Sequence, residues 1–446
     1  MMLDQSPDNR PAWMRWHIVA LLVAYSYMTW FNRVSMSVAY AEQIKDETGI
    51  GTVAMGWVYS AFLIAYTIFM TPGGWLIDRY GPWFALVVMG VGSALFGALT
   101  GLAGMPAGSS AITLFLSLLV IRTAMGVFTA PIYPAASRAI ACWVPLRQRI
   151  LANGLVQGAA AIGIASTFHL FGSLMDFVGW QTAFVISAAV TGLLALVWTI
   201  SAADPPPRHD AHLQDPLEKS IRIPAPWHAL LHDRNLVLLT LSYAAVGYVE
   251  YLFFFWAQYY FKDVLDLSKE VSRTYSMFLT LALAGGMIGG GWLADRLRQE
   301  SVSRWSRAIV PMLGLAASGV FLLVGVRCDD LDAMVILLSL ALLAVGAAEA
   351  PTWTLAVELG GRHGGTAAAI CNTSGNAIGL VAPILTPAVA AWITAQFAVD
   401  ERIGWQWAIT LGSAIAFAGA LLWCFIAPVS SPLKQAAGMH GPFSDS

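Results

Sequence analysis

Charge is scarce in this chain. Only 11% of its 446 residues are Asp, Glu, Lys or Arg, against about 25% in an ordinary soluble domain, which excludes a water-bathed globule. No basic block is present and the formal net charge is -2, so no footprint for nucleic acid exists. Cysteine is sparse too. Cys142, Cys328, Cys371 and Cys424 stand apart without CxxC spacing, so neither a disulfide framework nor a metal site is indicated. No motif for a cofactor is legible, and no nucleophile, base and orienting group assemble, so the chain is not expected to be an enzyme.

Apolar residues fill the space that charge leaves. They make up 58% of the chain, with a mean hydropathy of +0.66. Windows of about 20 apolar residues, enough to cross roughly 30 Å of hydrocarbon, recur along it. Twelve are expected, near 17–41, 54–76, 82–103, 112–136, 149–174, 180–202, 236–261, 272–294, 306–326, 332–357, 364–394 and 404–427. No small-residue cleavage site follows the first, so it reads as a retained helix. The one long polar connection, "DPPPRHD" and the charges after it, divides the chain into an N-terminal half (1–203), a linker (204–234) and a C-terminal half (235–446) with a short tail. With both termini in the cytoplasm, the cytoplasmic segments hold 16 Lys and Arg and the opposite side 6; Arg33 and Arg122 complete the 24 of the sequence. That bias fixes an N-in, C-in topology for a multi-pass protein of a bacterial inner membrane.

The halves echo each other. "GGWLIDRYG" (73–81) closes the second span and "GGGWLADRLR" (289–298) the eighth, while "TAPIYP" (129–134) on the fourth pairs with "EAPTWT" (349–354) on the tenth. Two six-helix repeats with equivalent loops are the pattern of alternating-access carriers. Asp78, Arg79, Asp295 and Arg296 in these loops are expected to gate, the acid pairing with a base or helix end only while the cytoplasmic side is shut.

With these motifs the chain resembles the major facilitator superfamily, from about Trp16 to Pro428. "FNRVSMSVA", "SAFLIAYTIFMTPGGWLIDRYG", "RTAMGVFTAPIYPAASRAIACWVPLRQRILANG" and "NTSGNAIGLVAPIL" narrow the resemblance to its anion:cation symporter branch, which includes carriers of galactonate and other sugar acids, phthalate-type carriers, and vesicular glutamate and sialic acid carriers. The resemblance implies an all-α membrane fold of twelve helices in two six-helix pseudo-repeats. It implies secondary active transport of a small carboxylate, ion-coupled, by a protein expected to act as a monomer in the lipid bilayer.

Arg33 lies about eight residues from the outer end of its span, roughly 12 Å of rise, beyond easy snorkelling. Leaving it unpaired among lipid costs at least about 2.5–3.5 kcal/mol. It must therefore face the bundle interior. Ser26, Thr29, Trp30, Arg33, Ser37 and Tyr40 share one stripe, and Arg122 on the fourth span heads another through Gly126, Thr129 and Tyr133. Two cations at one depth, with no acid on their own helices, call for an anion between them. The alternative is a structural clamp, each arginine held by a carboxylate or by backbone carbonyls. The resemblance assigns both positions to the substrate carboxylate, and Tyr66 matches the family's tyrosine. Facing stripes add Gln157 beside Asn153, Trp353, Asn372 and Asn376 as residues to read substrate oxygens and wall the pocket.

Proton-using family members carry acids where this chain has Asn32 and Thr129. Neither titrates. Two buried acids stand elsewhere, Glu250 on the seventh span and Glu349 on the tenth, and the expected proton or cation coupling moves to one or both of them. The competing role is simple neutralisation of the two arginines. Carriers of another class, such as organophosphate exchangers or exporters, and a non-transporting sensor are the alternatives to an organic-anion carrier. An organophosphate exchanger would want an arginine on the seventh span, a cation exporter would gain little from two buried arginines, and a sensor would want an added signalling domain.

Overall fold

The computed structural model describes residues 12–105, 110–144, 146–202, 227–300, 304–360 and 364–426. Among them every regular element is helical. The α-helices are α1 (Ala12–Ala39), α2 (Lys45–Thr48), α3 (Thr52–Ala103), α4 (Ala111–Thr129), α5 (Ile132–Trp143), α6 (Leu146–Ser201), α7 (Trp227–His232), α8 (Arg234–Tyr259), α9 (Lys269–Glu300), α10 (Arg304–Gly325), α11 (Leu331–Gly346), α12 (Glu349–Gly360), α13 (Gly364–Phe397) and α14 (Glu401–Leu422). Their composition leaves little choice, because a chain with no water along it must satisfy each N–H and C=O within its own segment.

Two of these helices are broken. Gly81 interrupts α3 at φ 84°, ψ 161° and Gly179 interrupts α6 at φ 76°, ψ 158°. Only glycine takes that conformation without strain, and at Gly81 the following Pro82 opens the next helical stretch with its φ already set. A π-turn follows α1 at Tyr40–Ile44 and another follows α8 at Tyr260–Val264. Each begins with a tyrosine, and Lys45 beyond the first reaches Asp263 in the second at 2.8 Å. Ser110 caps α4 through Thr113 N at 3.1 Å, and Asp330 caps α11 through Ala333 N at 2.9 Å.

Ten stretches among the described residues are long and apolar enough to cross a membrane. The sequence leads one to expect twelve. The difference lies at α1, which is not among the ten, and at Ala152–Ser201, which enters as a single stretch of 50 residues across the Gly179 break.

The chain divides into two compact units. One comprises Met1–His209, Glu250–Ala284 and Gly379–Ile409, the other Asp210–Val249, Gly285–Ile378 and Thr410–Ser446. The boundaries fall inside helices, so α8, α9, α13 and α14 each give one end to the first unit. In that unit α1 lies against α6, with Tyr25 edge-on to Trp198 at 5.9 Å, and Trp256 of α8 donates to the Pro383 carbonyl of α13 at 3.2 Å. In the second unit helices meet through small residues and hydroxyls. Ser242 donates to the Gly419 carbonyl at 3.0 Å, Ser413 to that of Gly319 at 2.6 Å, and Ser374 to that of Thr240 at 2.9 Å.

Candidate functional site

Arg33 is buried in the first unit, 4% exposed, and surrounded by rings. Its guanidinium carbon lies 4.3 Å from the Trp30 centroid, 5.4 Å from Phe62, 5.8 Å from Tyr66 and 5.2 Å from Tyr251. The spacing of the sequence builds this cage. Trp30 precedes Arg33 by three residues on α1, Phe62 and Tyr66 are four apart on α3, and each pair shares a helix face. Tyr251 comes from α8 and accepts a hydrogen bond from Arg33 Nη2 at 2.8 Å. The Trp30 indole is itself fixed, donating to Tyr133 Oη at 2.5 Å.

Arg122 is equally buried, and its contacts differ in kind. Nη1 and Nη2 donate to the Asn32 carbonyl at 3.2 and 3.3 Å, and Nη2 also donates to the Arg33 carbonyl at 3.0 Å. These are the contacts of the clamp alternative. The Asn32 side chain points elsewhere, donating to Thr191 Oγ1 at 2.8 Å and accepting from Ser187 Oγ. An amide suits that place because it can donate to one hydroxyl and accept from another. Thr129 donates back to the Met125 carbonyl within α4. Among the described residues, no ion pair includes Arg33 or Arg122.

The other expected pocket residues fall in different places. Gln157 is exposed on α6 and Glu250 buried on α8, both in the first unit. The second unit holds the rest. There Tyr243 Oη donates to Glu349 Oε1 at 3.1 Å and accepts from Trp353 Nε1 at 3.1 Å, while Asn376 Nδ2 donates to Asn372 O at 3.1 Å and Oδ1 at 3.3 Å. The structure therefore joins Trp30, Arg33, Tyr66 and Arg122 in one cluster and Glu349 with Trp353 in another. In the two loops expected to gate, Arg79 is exposed over Trp75 at 5.6 Å, and Arg296 over Trp292 at 5.6 Å. Asp295 is exposed, and the Asp78 side chain lies outside the described set.

Sequence reasoning missed two features. One is Tyr251, hidden in the aromatic run "EYLFFFWAQYY" where Glu250 draws the eye. The other is a buried charge network at the α1–α2 end of the first unit. Arg273 at the start of α9 donates Nε to Glu42 Oε1 at 2.9 Å, Nη2 to Glu42 Oε2 at 2.5 Å and Nη1 to Asp176 Oδ2 at 2.6 Å. Gln258 Nε2 donates to Glu42 Oε1 at 2.8 Å and accepts from Ser276 through Oε1 at 3.2 Å. The signal was present as an acid closing the first span, "YAEQI", and a base opening the eighth, "EVSRTY". Both look like ordinary loop charges until the helix ends meet.

The family model of the Major Facilitator Superfamily matches residues 19–383. The chain belongs to the Major Facilitator Superfamily. Among curated relatives, a probable sulfoacetate transporter of Cupriavidus necator is 28% identical over 436 residues, 94% of this chain and 96% of that protein. A probable galactarate/D-glucarate transporter of Bacillus subtilis is 26% identical, covering 87% of each. Among solved structures, a bacterial homolog of the human lysosomal transporter Spinster, inward-facing and unoccupied, superposes with a TM-score of 0.78 at 17% identity, covering 95% of this chain and 100% of that one. This superfamily member thus shares its fold with proteins of very different sequence.

Proposed function

We propose that this superfamily member carries small organic anions, carboxylates or sulfonates, across a bacterial inner membrane by alternating access. One observation carries the reading. The Arg33 guanidinium is buried with no carboxylate partner among the described residues, held only by a phenol hydroxyl and the faces of four rings. Cation–π contact offsets part of its desolvation, while a planar fork inside a low-dielectric cage favours an oxyanion strongly. The names of the relatives, for sulfoacetate and for galactarate and glucarate, fit a guest with a compact anionic head.

Twelve crossings are part of the reading. The 50 residues of Ala152–Ser201 would run about 75 Å as one helix, more than twice the hydrocarbon thickness of roughly 30 Å, so the Gly179 break marks a turn between two crossings. Helix α1, 28 residues with Arg33 inside it, adds the twelfth. The halves are then 1–203 and 235–446, both termini cytoplasmic. The shared φ/ψ of Gly81 and Gly179 and the π-turns after α1 and α8 are what internal repeats would leave. In this frame the α1–α2 end is the outer end, and Arg273, Glu42 and Asp176 form a latch that keeps it shut. Glu250 and Glu349 are the coupling candidates, and Asp78, Arg79, Asp295 and Arg296 are the gating candidates, each Asp–Arg pair within its own unit.

Uptake into proteoliposomes tests this. Sulfoacetate, galactarate, D-glucarate, galactonate and phthalate would be offered with and without an inward pH gradient. Saturable uptake of at least one acid, lost in Arg33→Lys, is expected. Failure of all five, or full uptake by the variant, refutes it.

A further inference from the structure

The two buried arginines are not equivalent. Among the described residues Arg33 has a single protein acceptor, a phenol, whereas both terminal nitrogens of Arg122 are engaged by fixed atoms of α1 and by Met125 Sδ at 3.4 Å. We infer that Arg122 is a positioning residue, a guanidinium clamp on the Asn32–Arg33 backbone that aims Arg33, and that the anion meets one guanidinium rather than two. This deepens the preceding reading and rests on Arg33 as the anchor.

The carbonyls of three consecutive residues tell the same story. Helix α1 runs unbroken from Ala12 to Ala39, so each of these carbonyls already has an amide four residues on and takes side-chain donors in addition. Phe31 O takes Ser35 Oγ at 2.6 Å and Thr167 Oγ1 at 3.4 Å, and Asn32 O and Arg33 O take Arg122. From the other side, Ser187 and Thr191 hold the Asn32 amide. The backbone at Arg33 is therefore gripped by side chains of α4 and α6. A long, flexible arginine side chain aims reproducibly only if its own root is immobile. A fork spanning two successive carbonyls suits that task, and an ammonium does not copy it, because its three donors sit on one nitrogen at the end of a flexible stem and lack the planar, fixed spread of a guanidinium.

The consequence for the guest is that a single acidic group suffices in the first unit. One carboxylate or one sulfonate fills one fork, and a second acidic group on the guest is not required by the first unit.

The test uses the full-length protein with Arg33→Gln, Arg122→Gln, Arg122→Lys and the double Gln variant, reading guest-free melting temperature in detergent and the KM for whichever of the five acids the wild type carries best. Losing the clamp should lower the guest-free melting temperature of Arg122→Gln by about 3 °C or more, with no drop in Arg33→Gln. KM should rise about tenfold in Arg122→Gln, Lys should not rescue it, and the double variant should be no worse than Arg33→Gln, the signature of two residues acting through one contact. Rescue by Lys to within about twofold, or a double variant about tenfold worse than either single, would mean that Arg122 touches the guest and would overturn the inference. An unchanged melting temperature in Arg122→Gln would overturn it too. Should the wild type carry none of the acids, the anion reading falls, while the melting comparison still decides the clamp.

Discussion

Glu42→Gln should unlatch the α1–α2 end of the first unit, the outer end in the proposed topology. The carboxylate is buried, 3% exposed, and takes two hydrogen bonds from Arg273 and one from Gln258. Neutralising it leaves the Arg273 guanidinium, also buried, with Asp176 alone, whose side chain is 42% exposed. Breaking one partner out of a buried pair costs about 3–5 kcal/mol; with Asp176 still present the lower figure applies, about 3 kcal/mol, or roughly a hundredfold in the ratio of shut to open molecules. Removing both partners should act differently, because a buried pair replaced by apolar residues of similar size is often neutral or stabilising. Glu42→Met with Arg273→Met should therefore shut again. Spin labels at Phe177→Cys and Ser268→Cys, with the four native cysteines replaced by alanine, would report the distance across this end by double electron–electron resonance. A long-distance population that grows in Glu42→Gln and disappears in the double Met variant is expected. An unchanged distribution in Glu42→Gln, or a double variant as open as the single, refutes the latch.

Other outcomes can be stated briefly. Glu250→Gln and Glu349→Gln, tested separately, should remove the pH-gradient dependence of uptake in at least one case; unchanged dependence in both would place coupling elsewhere. Asp78→Asn should slow turnover more than it raises KM in the uptake assay, and a large KM rise at normal turnover contradicts its place in the gate. Gly163→Leu should lower the melting temperature by several degrees, since a Cβ there meets the Tyr27 carbonyl at 2.6 Å, and overpacking of this kind costs about 1–3 kcal/mol. An unchanged melting temperature would mean that α1 and α6 are not held that close.

Much of the architecture could be read without coordinates, because lipid allows one local solution and hydropathy reports it. The interior placement of Arg33 and Arg122 was legible for the same reason, since neither could lie against lipid. The partners of each were not. Helical spacing says which residues share a face, so Trp30 beside Arg33 was visible in a stripe, but it says nothing of which other helix supplies Tyr251, more than 200 positions away. Asn32 illustrates the limit well. Its neutrality in the sequence spoke against a proton site, while its actual work, tying α1 to Ser187 and Thr191, depends on a helix pairing that no period encodes. The Arg273 network was hidden because acids and bases at span ends look solvated until their neighbours close over them.

The central claim is that Arg33 holds the anion. A structure of the protein with a transported acid bound tests it most directly. The predicted result places the carboxylate or sulfonate oxygens about 3 Å from the Arg33 guanidinium nitrogens, inside the ring of Trp30, Phe62, Tyr66 and Tyr251. An acid seated away from Arg33, with the Arg33–Tyr251 hydrogen bond undisturbed, would contradict it.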